Sequence, residues 1–386
     1  MVLANVEGMA KWLEDYQEKS FGLNRDLTGE SGGLAEYFSD FHQEFHDFQR
    51  AASETELLAD IKKSPVVFLG DFHNLRQSQK FAAELIEKLS FRDASFKVLA
   101  VEFVAPDQQR TLDAYQSGRM SEKTFLKKIN FKDWNNFDHW NGYKAVLAMA
   151  NKHHLKVFGI RVPSWDGDQD HKDKLLARNL EIIATIFPSD KMIIHIGDAH
   201  LAQSHLPEKM RVLSQFARKR TVTVLGNIPE VYFSALRKFK NFNLPNTLRI
   251  KDGVYHVMTA PVLTHLLSNI EYLEYAIGKN GAGNIWEEYD LTVEIVRRWA
   301  VLLEFKFDPQ RLPEFNIGNF KEFRLKKVLE EMARSVFGLS DGEERFLYFC
   351  SKLFIPERRP VNVTELAGEN MFYDFLQGRK PVIPKV

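Results

Sequence analysis

The segment VVFLGDFH, residues 66–73, runs from four apolar residues through a glycine into a histidine. A short, continuous apolar run that ends in a glycine turn is typical of a strand buried on both faces of a sheet. The segment MIIHIGDAH, residues 192–200, repeats this order. The two segments therefore predict two buried strands, each followed by a Gly-x-x-His turn that ends at His73 in the first and at His200 in the second.

Further apolar runs alternate with amphipathic stretches along the middle of the chain. The runs are Val98–Val104, Val157–Val162 and Thr221–Leu225, and the stretches include Gln79–Leu89, Tyr143–Lys152 and Lys172–Ile186. This alternation predicts an α/β fold, a mainly parallel sheet with helices on both faces. Residues 248–259 predict an added hairpin, with Asp252 and Gly253 at its turn.

Changes in the sequence pattern divide the chain into three parts. They are an N-terminal helical segment at 1–60, an α/β domain at 61–260 and a C-terminal helical domain at 261–386. In the first part, phenylalanines recur at three- and four-residue steps, which predicts one apolar helix face. These residues are Phe38, Phe41, Phe45 and Phe48.

The composition narrows the class of protein. The 386 residues carry no net formal charge, which argues against a nucleic-acid partner, and Cys350 is the single cysteine. No run approaches the ~20 apolar residues of a membrane span. Because the N-terminus shows neither a signal peptide nor a lipobox, we expect a cytoplasmic protein. A homo-oligomer is compatible with this composition.

Polar residues stand at the ends of four predicted strands. His73 and His200 follow the first and fourth strands, Glu102 lies in the second and Arg161 ends the third. Parallel strands present their carboxyl ends at one edge, where open α/β sheets bind ligands. Two imidazoles and a carboxylate are a common ligand set for a catalytic divalent metal, such as Mn, Co, Zn or Fe. A metal-free acid–base site of His and Glu is the alternative.

Other residues are expected to support this site. Asp71 and Asp198 each precede a motif histidine by two residues, so they are candidate further ligands or acceptors that fix the imidazole tautomers. His195 lies within the fourth strand, close to the edge. Arg161 is the candidate group for an anionic part of a substrate or for a developing oxyanion.

Residues 64–235 resemble the ChaN-like haem-binding uptake family. That family shares a fold with Tiki-type membrane proteases, TraB-like proteins and erythromycin esterases. The segments that carry the resemblance are Val66–His73, Leu99–Phe103, Gln108-Gln109, Trp134 with Trp140 and Tyr143, Arg178-Asn179, and Ile194–His200.

The resemblance implies a site at His73, Glu102 and His200, with Tyr143 and Arg178 as neighbours or substrate contacts. The equivalent residues serve hydrolysis in the Tiki and esterase branches, with a metal in the former, whereas the ChaN branch binds haem and is implicated in iron uptake. This chain departs from the family in lacking a lipobox and in having Asp71 where the family usually has glutamate.

Three hypotheses about function follow. The first is a metal-dependent hydrolase for an ester or peptide bond, in which His73, Glu102 and His200 hold the ion, or Glu102 acts as general base, and the ligand is a small molecule or peptide. The second is a non-catalytic haem-binding protein of iron uptake or handling. The third is a core without chemistry, whose C-terminal helices serve assembly.

Overall fold

The computed structural model describes residues 32–259, except residues 74, 94, 135–139, 163–167 and 240–243. The predicted C-terminal helical domain, 261–386, lies outside the described residues, as do residues 1–31. Within the described part, helices and an eight-stranded sheet form an α/β fold, which confirms the predicted class. None of the described helices is long and apolar enough to cross a membrane.

The strands run in the spatial order β1-β7-β8-β6-β2-β5-β3-β4. Their bounds are β1 Arg50–Ala52, β2 Val66–Asp71, β3 Phe96–Val101, β4 Lys156–Gly159, β5 Lys191–Gly197, β6 Thr221–Gly226, β7 Thr247–Lys251 and β8 Val254–Val257. Strands β6, β2, β5, β3 and β4 pair in parallel, so their carboxyl ends share one edge. The strand β5 lies between β2 and β3 at the centre of this parallel block.

The helices connect and cover the strands. Their bounds are α1 Gly32–Glu44, α2 Glu54–Lys62, α3 Arg76–Arg92, α4 Gln109–Gln116, α5 Glu122–Lys128, α6 Phe131–Trp134, α7 Trp140–Lys152, α8 Gln169–Ile186, α9 Leu206–Arg211 and α10 Pro229–Phe239. Two 3₁₀ turns, Pro106–Gln108 and Asp198–Leu201, follow β3 and β5.

The apolar runs form the buried strands that their sequence predicts. Side chains on both faces of β2 and β5 are buried, since helices cover the sheet from either side. The predicted hairpin is also present, because β7 and β8 pair in antiparallel register across Asp252 and Gly253.

The N-terminal segment differs from the prediction in two respects. Helix α1 ends at Glu44, so Phe45 and Phe48 lie beyond it, although both side chains are buried. Residues Arg50–Ala52 form β1, which pairs with β7 and extends the sheet. The exposed, three-residue strand carries no apolar pattern that would reveal it in the sequence.

The last residue of β4, Gly159, lies against a neighbouring backbone. A Cβ atom at this position would lie 2.6 Å from the carbonyl oxygen of Val104 and 2.9 Å from that of Ala105. At Gly226, which ends the parallel strand β6, the nearest atoms to an added Cβ are 3.9 Å away. The two glycines therefore differ in the space around them while occupying similar positions in the sheet.

We predict that Gly159→Ala destabilises the protein by about 1–3 kcal/mol, because backbone atoms cannot move aside for the new methyl group. Gly226→Ala, the matched control, should change the free energy of unfolding by less than about 0.5 kcal/mol, as substitutions away from tight contacts usually do. Urea denaturation followed by circular dichroism measures both. Equal effects of the two substitutions would contradict the close approach at Gly159.

Candidate functional site

Three adjacent strands bring the predicted site residues together. Glu102 directly follows β3, His73 comes two residues after β2, and His200 lies in the 3₁₀ turn after β5. Glu102 Oε2 is 3.8 Å from His73 Nε2, and Glu102 Oε1 is 3.5 Å from His200 Nε2. The carboxylate therefore lies between the two imidazoles, at the edge that the sequence indicates.

Glu102 is a buried carboxylate held by two donors. The backbone N–H of Gly197 donates to Oε2 at 2.8 Å, and Lys172 Nζ donates to Oε1 at 3.0 Å. Burial raises the pKa of Glu102, but the positive charge of Lys172 and the contact with His200 outweigh it and hold the pKa well below the ordinary value. The group is thus ionised across the physiological range of pH.

Gly197 allows the second motif to approach this carboxylate. A Cβ atom on Gly197 would lie 3.3 Å from both Glu102 Oε2 and His73 Nε2, in the space where the two side chains meet. A larger residue would push these groups away from the strand end. The glycine of the second Gly-x-x-His turn therefore leaves room for both side chains, which would have to shift slightly to admit a larger residue.

The first imidazole is fixed by a buried aspartate. His73 Nδ1 is 2.8 Å from Asp71 Oδ2, and the same oxygen accepts a hydrogen bond from the Tyr143 hydroxyl at 2.8 Å. Gln79 donates to the other oxygen of Asp71. Burial lowers the pKa of His73, but the hydrogen bond and charge of Asp71 outweigh it and raise the pKa above the ordinary value. In the neutral ring, a proton on Nδ1 leaves Nε2 as the basic nitrogen facing Glu102.

The second imidazole has the same kind of partner. His200 Nδ1 is 2.6 Å from Asp173 Oδ1, and the Tyr37 hydroxyl donates to Asp173 Oδ2 at 2.9 Å. Burial and the charge of Lys172 lower the pKa of His200, but Glu102 and Asp173 outweigh them and raise the pKa above the ordinary value. Each motif histidine thus has its own buried aspartate and tyrosine.

Sequence reasoning missed three of these residues, namely Lys172, Asp173 and Tyr37. Lys172 and Asp173 are adjacent near the start of α8, behind its N-cap Asp168. Because helices that follow parallel strands begin at the carboxyl edge, polar residues in their first turns are candidate site residues. Tyr37 on α1 also stacks on His205, with ring centroids 3.7 Å apart, and no motif marks it.

The other predicted site residues differ in their burial and in the groups that they contact. Burial raises the pKa of Asp198 to about 7. His195 is buried behind Asp71, with Nε2 3.9 Å from Asp71 Oδ1, and burial lowers its pKa. Arg161 donates to Gln108 Oε1 and to the carbonyl oxygen of Ile129.

The remaining candidate, Arg178, is exposed on α8. It is therefore placed on the solvent side of the helix, whereas Asp173 of the same helix is buried beside His200. Arg161 is held by the segments after β3 and α5. Roles for these two arginines in substrate contact remain predictions.

The residues as they are arranged do not fit a divalent metal ion. No group of three His, Cys, Asp or Glu side chains in the described part of the chain has the geometry to hold one. Lys172 Nζ instead lies 3.0 Å from Glu102 Oε1 and 3.1 Å from His200 Nε2. An ammonium group therefore takes the lone pairs that the predicted metal would use.

Aromatic side chains border His73. Its ring centroid is 4.7 Å from that of Trp134, which is also in contact range of Phe103 and Tyr143. The His73 side chain is 33% exposed, compared with 7% for His200. His73 is therefore the imidazole that an incoming molecule would reach first.

We predict that Asp71→Asn lowers the pKa of His73 by about 1 or more, because a neutral amide cannot stabilise the imidazolium as a carboxylate does. Asp173→Asn should lower the pKa of His200 in the same way, and each variant serves as the control for the other. Histidine side-chain NMR titrations give both values. If either single substitution shifted the pKa values of both histidines, the two His–Asp pairs would not be independent, and the prediction would be contradicted.

The solved structures that resemble this chain do so at low sequence identity. No curated protein matches the chain at the sequence level. A type III effector, HopBA1, aligns at 15% identity and a TM-score of 0.36, over 47% of this chain and 86% of its own. ChaN of Campylobacter jejuni, whose structure concerns cofacial haem binding, aligns at 14% identity and a TM-score of 0.35, over 50% of this chain and 92% of its own.

One family model matches part of the chain. The matched residues include β2, β3, Glu102, His73 and Tyr143, whereas Lys172, Asp173 and His200 lie beyond them. Residues 57–166 match the model described as haem-binding uptake, Tiki superfamily, ChaN, and the resemblance read from the sequence is confirmed over this part of the chain.

Proposed function

We propose that the carboxyl edge of β2, β5 and β3 is a metal-independent acid–base site that hydrolyses an ester or amide bond of a small molecule or peptide. The observation that most strongly supports this proposal is the pairing of each motif histidine with its own aspartate, on either side of the ionised Glu102. A histidine oriented by a carboxylate is the usual group for general acid–base catalysis.

His73 is the proposed general base. Its Nδ1 is held by Asp71, its Nε2 is the basic nitrogen of the neutral ring, and it is the more exposed of the two imidazoles. In the proposed step, Nε2 takes the proton of a water molecule as the water oxygen attacks the carbonyl carbon. Asp71 then stabilises the imidazolium that forms.

The other side of the site supplies positive charge. Lys172 and His200 lie against Glu102 and offset its negative charge. We propose that the His73 imidazolium then protonates the leaving group as the C–O or C–N bond breaks, which returns His73 to its neutral form, and the carboxylic acid product departs.

We predict slow but measurable hydrolysis of p-nitrophenyl esters that survives treatment with EDTA. His73→Ala should lower kcat/KM by about 100-fold or more, because removal of a general base typically has an effect of this size. Glu102→Gln should also lower kcat/KM, because Lys172 and the two imidazoles then lose the carboxylate that they surround. The matched control is His46→Ala, since His46 is exposed and lies outside the site. Spectrophotometric rates for the four proteins, with and without chelator, make the comparison.

Two outcomes would contradict the proposal. One is activity that EDTA abolishes and an added divalent metal restores. The other is loss of activity in His46→Ala equal to that in His73→Ala, which would mean that the hydrolysis does not depend on the proposed base.

The second candidate function is haem binding, which is favoured by the family match over residues 57–166. His73 is the side chain best placed to bind haem iron, because it is partly exposed and lies beside Trp134. Tyr143 suits this role poorly, since its side chain is fully buried and its hydroxyl is bound to Asp71. Bound haem would supply a redox-active iron at this edge.

A haemin titration separates the two candidates. The acid–base proposal predicts no sharpened, stoichiometric Soret band, because His73 Nε2 is the nitrogen committed to proton transfer. A 1:1 band in the wild type that disappears in His73→Ala, but not in His46→Ala, would favour the second candidate and overturn the first as the main function.

A further inference from the structure

The two histidines and Glu102 have most of the features of a metal-binding site. Both imidazoles direct Nε2 toward the carboxylate, at 3.8 Å for His73 and 3.5 Å for His200. Each ring also has Nδ1 bound to an aspartate, the arrangement that commonly orients histidine ligands around a metal ion. The donor atoms and the groups that orient them are thus both present, but as arranged around Lys172 the described side chains do not form a metal site.

Lys172 lies where these donors would bind an ion. Its Nζ atom is 3.0 Å from Glu102 Oε1 and 3.1 Å from His200 Nε2, and the side chain is largely buried. An ammonium group has no lone pair and donates hydrogen bonds, so it binds the same acceptor atoms that a metal ion would bind. Hydrogen-bond distances near 3 Å are longer than the ~2.0–2.2 Å that Zn²⁺ requires of N and O ligands.

The position of Lys172 is fixed by the helix that carries it. Asp173, the next residue on α8, is fully buried and bound to His200 Nδ1. The start of α8 is further held by its N-cap, where Asp168 accepts from the backbone N–H of His171. The helical turn whose Asp173 orients His200 therefore also places the Lys172 ammonium group beside Glu102.

We propose that Lys172 is a built-in cation that takes the place of a divalent metal ion beside Glu102 and His200. Removal of its ammonium converts this edge into a binding site for a divalent cation, with Glu102, His200 and His73 as ligands. This proposal concerns the same residues as the proposed hydrolytic function and rests on its metal independence, but it is measured by metal binding, without any substrate.

The test is a titration of the folded full-length protein with Co²⁺, followed by calorimetry and visible absorption. We expect Lys172→Ala to bind one Co²⁺ about 100-fold more tightly than the wild type, because a unit positive charge no longer repels the ion at close range. Lys174→Ala is the matched control: Lys174 is on the same helix but exposed, paired with Asp170, and its removal should leave Co²⁺ affinity unchanged.

Double variants identify the ligands. The gain in Lys172→Ala should be lost in Lys172→Ala/His200→Ala and in Lys172→Ala/Glu102→Gln. Lys172→Gln, which removes the charge but keeps a polar side chain, is the second variant if Lys172→Ala does not fold. Circular dichroism and thermal unfolding establish which variants are folded.

The proposal is overturned if the wild type binds Co²⁺ at this site as tightly as the folded Lys172 variants, or if neither Lys172→Ala nor Lys172→Gln gains affinity. Failure of both variants to fold also counts against it, because the ammonium would then serve the fold rather than replace an ion. An inactive wild type with the expected gain in Co²⁺ binding would reject the hydrolytic function while leaving this inference intact.

Discussion

The carboxylate of Glu102 is the group on which the carboxyl edge of the sheet depends. A buried charge is costly unless other groups compensate it, and Glu102 is almost fully buried. Compensation comes from β5 through the Gly197 N–H, from α8 through Lys172, and from an imidazole on either side. The placement of these elements around β3 is therefore tied to a single negative charge.

The two carboxylates that orient the imidazoles are also buried charges that need compensation. Asp71 and Asp173 fix the two rings, and each aspartate is itself a buried charge that needs donors. Tyr143 and Tyr37 supply a hydroxyl to each. The result is two His–Asp–Tyr groups joined through Glu102 and Lys172. Such a network orients basic nitrogens while leaving His73 open to an incoming molecule.

Much of this arrangement could be predicted from the sequence, because buried parallel strands leave continuous apolar runs and their ends share one edge. This reasoning placed His73, Glu102 and His200 together. It could not identify Lys172, Asp173 or Tyr37, since the face that a helix turns toward the sheet is set by tertiary packing. Strand β1 was missed because its pairing with β7 joins segments that are far apart in the chain and leaves no apolar signal.

The most direct measurement of this account is anomalous X-ray diffraction from crystals of the wild-type protein grown in the presence of Mn²⁺ or Zn²⁺. The account predicts Lys172 Nζ density near 3.0 Å from Glu102 Oε1, with no anomalous peak beside His200 Nε2. A peak about 2.0–2.2 Å from His200 Nε2 and Glu102, with the Lys172 side chain turned away, would contradict it.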